Sequence, residues 1–149
     1  MRSVEFVLLI GLAAGLLQAC AVATGRDGPR CGRSHVLRIV DLNMDPDPIG
    51  QGQLVRDWRV TLQADAGGEC ATRLWIEERP GNIVVATERI FRLRPGINLI
   101  PIEPAGRYRF SRAQHCFTVI ADIEGTPRPI DAARSFCARQ VGNRWTVRP

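Results

Sequence analysis

The chain predicts an all-β fold, an antiparallel β-sandwich of about seven strands braced by two disulfides. Three observations carry this reading. Apolar or alternating runs recur along the chain, separated by turn residues at about 8–12-residue spacing. Ten prolines and fourteen glycines are scattered throughout, which argues against long helices. Beyond residue 20 the cysteines number four, an even count that suits a disulfide framework in an exported chain.

The first strand is expected over His35–Leu42 (HVLRIVDL). NMDPDPIGQGQ then reads as a loop, because Asp-Pro and Gly favour turns. In Leu54–Ala64 the residues Trp58, Val60, Leu62 and Ala64 alternate with Arg59, Thr61 and Gln63, the period of a half-buried strand. ADAGGEC is a turn. Thr72–Glu78 (TRLWIEE) is a third strand, closed by the turn Arg79-Pro80-Gly81-Asn82. Ile83–Leu93 and Ile97–Ile102 flank a turn at Arg94-Pro95-Gly96. A loop over Glu103–Gln114 leads to His115–Ile123, where Phe117, Val119, Ala121 and Ile123 share one face. Asp131–Ala138 is the seventh strand, and the tail VGNRWTVRP either adds a short edge strand or covers an edge.

Seven strands in this order resemble an immunoglobulin-like sandwich. The runs DPIGQGQLVRDWRVTL, RLRPGINLIPI and CFTVIADIEG, across residues 46–125, resemble bacterial adhesion-related (CARDB-like) Ig-like domains. Asp65-Ala66-Gly67-Gly68 stands where that family has an Asn-x-Gly turn. The resemblance implies a structural or binding module and no activity.

Hairpin register links the strands to the cysteines. If His115–Ile123 and Asp131–Ala138 pair about Thr126-Pro127, facing residue numbers sum to 253. Phe117 then faces Phe136, and Cys116 faces Cys137. If the first two strands pair about Gly50-Gln51, the sum is 101, which places Ile39 opposite Leu62, Leu37 opposite Ala64 and Cys31 opposite Cys70. Both registers oppose apolar residues, as cross-strand pairing prefers. The expected disulfides are Cys31–Cys70 and Cys116–Cys137. A zinc site is the rival, but its ligands come in close pairs, and here 38, 45 and 20 residues separate successive cysteines.

The fifth cysteine, Cys20, has another use. Residues 1–19 have the parts of a secretory signal: Arg2, then an apolar run of twelve residues from Phe6 to Leu17, too short to span a bilayer. Leu17-Gln18-Ala19-Cys20 resembles the lipobox of bacterial lipoproteins. That resemblance implies a diacylglycerol on Cys20 and cleavage before it. The polar, Gly- and Arg-rich stretch that follows reads as a tether over 20–34, and the alternating runs beyond it as a single sandwich domain over 35–149. Two or three acyl chains hold a protein stably to a bilayer. Ala21, in place of aspartate, resembles the outer-membrane sorting pattern, facing the periplasm or the surface. The competing reading is cleavage after Ala23 at Ala21-Val22-Ala23, which discards Cys20.

The formal net charge is +5, and all 20 basic residues are arginine. A basic exported chain can meet anionic lipids or acidic glycans, or simply carry a solvated arginine surface. Alternating strands place the tether at one end and the loops 43–53, 79–82 and 103–114 at the other. That distal end holds Asp45 and Asp47, and Arg107, Tyr108, Arg109, Arg112 and His115. As a binding site it uses Tyr108 as anchor and the arginines as anion contacts. The plainer alternative is that the two loops pair their own charges.

Asp41-Leu-Asn43-Met-Asp45-Pro-Asp47 starts like a calcium loop, but Pro46 and Gly52 stand where Gly and Glu are required, so no metal is assigned. No nucleophile elbow, zinc-protease motif or P-loop occurs. His35 and His115 read as packed or strand-end residues. Glu77 and Glu78 point to opposite strand faces and cannot share a substrate. No aromatic stacking platform for nucleic acid is found; Trp58 and Trp75 read as packing residues. The expectation is a non-catalytic envelope lipoprotein without cofactor, serving as a binding or accessory module in a protein complex. The alternative is a binder of an acidic glycan or lipid headgroup through the arginine-rich distal loops.

Overall fold

A computed structural model describes residues 36–65, 70–124 and 130–148. Among them the chain forms nine strands and no helix: β1 (Leu37–Asp45), β2 (Ile49–Gly50), β3 (Asp57–Ala64), β4 (Cys70–Arg79), β5 (Ile83–Leu93), β6 (Gly96–Ile102), β7 (Gln114–Ile123), β8 (Ala132–Val141) and β9 (Arg144–Arg148). They make a three-stranded sheet, β1-β3-β6, and a six-stranded sheet, β2-β9-β8-β7-β4-β5, with every ladder antiparallel. The all-β sandwich-like arrangement therefore stands, with nine strands rather than seven.

The two extra strands come from the parts read as loop and tail. The tail folds back as β9 through a two-residue turn in which Gly142 takes φ 60°. Glycine enters that left-handed region without a Cβ penalty. Ile49–Gly50 then adds β2 along the far side of β9.

Alternation explains the core. Trp58, Val60 and Leu62 on β3 face Leu74 and Ile76 on β4 and Phe117, Val119 and Ala121 on β7, and all of these are fully buried. The β1–β3 register pairs Leu37 with Ala64 and Ile39 with Leu62, as the sum of 101 requires. It then slips by one at Val40, so Leu42 pairs with Val60 and Met44 with Trp58. The bulge changes which parity points inward: Leu37 and Ile39 before it, Leu42 and Met44 after it. This corrects the expected end of the first strand from Leu42 to Asp45, because buried residues continue once the phase has shifted. The second strand starts later than expected, at Asp57 rather than Leu54.

The β7–β8 ladder keeps the sum of 253 throughout, with Phe117 opposite Phe136. Cys116 and Cys137 face each other and form a disulfide with a Cα–Cα distance of 4.1 Å. That spacing is nearer the ~4.5 Å of a non-hydrogen-bonded antiparallel pair than the ~5.5 Å of a hydrogen-bonded one. Cys70 opens β4; Cys31, its expected partner, lies outside the described residues, as do the signal segment, Cys20, the tether and His35. Arg134 on β8 reaches across to β1 and donates from Nη1 to the carbonyls of Ile39 (3.1 Å) and Val40 (2.7 Å), tying the two sheets at the bulge.

Candidate functional site

The loops at one end of the sandwich do come together. The β1–β3 connection and the β6–β7 loop meet where Val55 N–H donates to Tyr108 O (3.3 Å) and Arg109 Nη1 donates to Gly52 O (2.8 Å). A shallow depression of about 540 Å³ lies at this seam, lined by Pro46, Gly52, Gln53, Leu54, Arg56 and Arg109. The β8–β9 turn joins the same end, with Gln51 N–H donating to Asn143 O (3.0 Å).

Beneath the loops lies a buried polar network. Strand alternation continues the inward row Leu74–Ile76 to Glu78, so this carboxylate is buried (4 % exposed) while Glu77 points outward and accepts from Trp75 Nε1 (3.0 Å). His115, 2 % exposed, meets Glu78 with Nδ1 at 2.6 Å from Oε1. The other ring nitrogen, Nε2, accepts backbone N–H bonds from Ser111 (3.0 Å) and Arg112 (2.9 Å). An atom facing two donors must be the unprotonated one, so the imidazole is neutral with its proton on Nδ1, directed at Glu78. Arg112 adds an ion pair to the same Glu78 oxygen. Histidine 115 thus holds two consecutive amides of the β6–β7 loop, and Glu78 holds the histidine.

Tyr108 belongs to this network. Its ring packs against Trp58, Phe110 and Phe117, and its hydroxyl lies 2.9 Å from His115 Nδ1. With the proton on Nδ1, the phenol oxygen is the accepting side of that contact. Phe110 stacks on Trp145 at 5.7 Å, and Trp145 Nε1 donates to Arg112 O (2.7 Å), so β9 clamps the loop from its other side. Among the described residues Trp58 Nε1 is buried without an acceptor. An orphan donor costs about 1–3 kcal/mol, which burial of the whole indole offsets.

The residues expected at the distal end divide accordingly. Tyr108 is turned into the aromatic cluster, with its hydroxyl spent internally, rather than projecting as an anchor. Arg112 is paired with Glu78, and Arg109 is bonded to Gly52. Arg107 is exposed. Asp45 pairs with Arg56 of its own connection at 3.1 Å, not with the β6–β7 arginines. Asp47 is exposed, and partial desolvation together with the Asp41 carboxylate raises its pKa. Among the described residues no group of three or more His, Cys, Asp or Glu gathers as a metal site. Glu78 and Trp145, the two residues that organise the loop, were missed. The signal for Glu78 was its place in an inward apolar row.

Burial, then the Glu78 charge and its hydrogen bond, push the Tyr108 phenol far above its ordinary range. The unfolded chain releases this proton near pH 10 and the folded chain keeps it. Tyr108 therefore leaves stability unchanged below that range and lowers it as pH climbs above 10. Tyr108 is the only tyrosine in the chain. Absorbance at 295 nm is expected to show no tyrosinate between pH 10 and 11 in the folded protein, and to show it once urea is added. Ionisation near pH 10 without unfolding would contradict this packing.

Comparison with known protein families and with curated proteins finds no match to the chain.

Proposed function

We propose that the chain is an immunoglobulin-like envelope lipoprotein, anchored through Cys20, that acts as a binding or accessory module in a protein complex. The strand order supports the immunoglobulin-like reading: β1-β3-β6 opposes a sheet in which β8, β7, β4 and β5 are neighbours. The observation that carries the binding role is on β6. Among the described residues this strand pairs with β3 alone and is an edge of its sheet. Its outward residues include Ile97 and Leu99, 65 % and 64 % exposed. Edge strands are usually blunted by charge, and exposed aliphatic side chains on one mark a contact surface. A protein contact of this kind resists salt, unlike attachment through arginines.

The test is Ile97→Glu with Leu99→Glu. Neither side chain is buried, so the fold should change by no more than about 0.5 kcal/mol. Capture of the native partner from envelope extracts is expected to fall to background. Unchanged capture would remove β6 from the account. The anchor is checked separately: Cys20→Ser is expected to lose acylation by mass spectrometry, and an unmodified mature chain beginning at Thr24 in the wild type would favour cleavage after Ala23 instead.

A further inference from the structure

We propose that the outer face of the six-stranded sheet carries a binding site for a phosphate-type oxyanion, built on Arg139 and Arg148. A cleft of about 460 Å³ opens on this face, and both arginines line it together with Ser135, Cys137 and Thr146. The register explains their meeting. Arg139 lies opposite Thr146 and Cys137 opposite Arg148, so the four project from one side of the β8–β9 hairpin. Cys137, bonded to Cys116, fixes the neighbouring strand beside them. On the β7 side, Ser135 Oγ lies 3.2 Å from Thr118 Oγ1.

Charge separates this half of the sheet from the other. On β4 the outward arginines are neutralised, Arg73 by Asp122 and Arg79 by Glu77. Residues 114–118, 135–141 and 144–148 contain three arginines and no carboxylate. Among the described residues, neither Arg139 nor Arg148 has an ion pair or a side-chain hydrogen bond. Two free guanidiniums on one cleft are available to a ligand, unlike Arg109 and Arg112 at the loops.

The donor set selects the ligand class. Each guanidinium offers paired N–H donors that match two oxygens of an oxyanion. A carboxylate is satisfied by one arginine. A tetrahedral phosphate has oxygens for both, and the hydroxyls of Ser135 and Thr146 can meet the remainder. A free phosphate and the phosphate of a lipid headgroup share this chemistry.

The experiment titrates the full chain with inorganic phosphate and, separately, with glycerophosphoglycerol, a soluble lipid headgroup, while NMR reads the arginine Nε–Hε signals. Saturable shifts at Arg139 and Arg148 are expected with at least one probe. Arg139→Gln with Arg148→Gln should weaken that binding about tenfold, whereas Arg107→Gln should leave it unchanged. Tighter binding of glycerophosphoglycerol assigns the site to a lipid headgroup, and equal or tighter binding of inorganic phosphate assigns it to free phosphate. Both arginines are exposed, so the double variant should keep its circular-dichroism spectrum and melting temperature. The proposal is overturned if neither probe saturates or if the double variant binds like the wild type. The face is distinct from Ile97 and Leu99, so its failure leaves the partner contact standing.

Discussion

Replacing Glu78 by Ala is expected to destabilise the fold by about 1–3 kcal/mol, the cost of taking its acceptor from a buried donor; Arg112, half exposed, returns to solvent. The carboxylate is nearly fully buried and holds two groups, His115 through Nδ1 and Arg112. Its removal leaves the imidazole N–H with only the Tyr108 hydroxyl, a neutral and weaker acceptor, 2.9 Å away. The histidine then loses the orientation that presents Nε2 to the Ser111 and Arg112 amides. Glu78→Gln keeps an oxygen for the Nδ1 proton and should cost clearly less. Urea titration gives the stabilities, and hydrogen exchange at the Ser111 and Arg112 amides gives the local effect. A Glu78→Ala variant within 1 kcal/mol of wild type would mean that the network contributes little to folding.

Replacing Cys116 and Cys137 together by Ala is expected to cost about 3 kcal/mol by the chain-entropy estimate for a loop of this length. The sequence separation is 21, and the bond joins adjacent strands in a ladder that already fixes their register. The stabilisation therefore falls mainly on the unfolded chain, whose freedom the cross-link reduces. The folded variant should keep the β7–β8 pairing, because Phe117 and Phe136 remain opposed and buried. Thermal unfolding should move down by roughly 10 °C. A shift of only 1–2 °C would show that the hairpin is already closed in the unfolded ensemble.

Much of the fold was legible because alternation, turns and register are local or pairwise properties. Trp58, Val60 and Leu62 announced their face by period two, and the register of 253 brought Cys116 to Cys137 from two strand positions and one turn. Val40 escaped because a bulge is a change of phase. The apolar row moves from odd to even numbers there, and a reading that follows one period ends the strand at Leu42, soon after the break. The tail stayed open between a short edge strand and an edge cover because Arg144–Arg148 has only Trp145 and Val147 to bury; pairing with β8 decides for the strand. The distal loops were correctly gathered at one end, but which side chains face solvent was not legible. Arg112 and Tyr108 read as free donors until Glu78, thirty-four residues away from Arg112, partners the first and His115 the second. Arg139 and Arg148 show the converse: they are ordinary strand residues in sequence, and only the absence of a carboxylate on the neighbouring outward positions makes them available.

The most direct test of the binding role is site-specific photocrosslinking from position 99 in the intact envelope, with the same crosslinker at Arg38 on β1 as control. Both side chains are exposed on the three-stranded sheet, one on its β6 edge and one on its β1 edge. One protein is expected to be joined repeatedly at position 99, unaffected by raised salt, lost with Ile97→Glu and absent at position 38. Recovery of the chain uncrosslinked from position 99, or the same products from both positions, would contradict it.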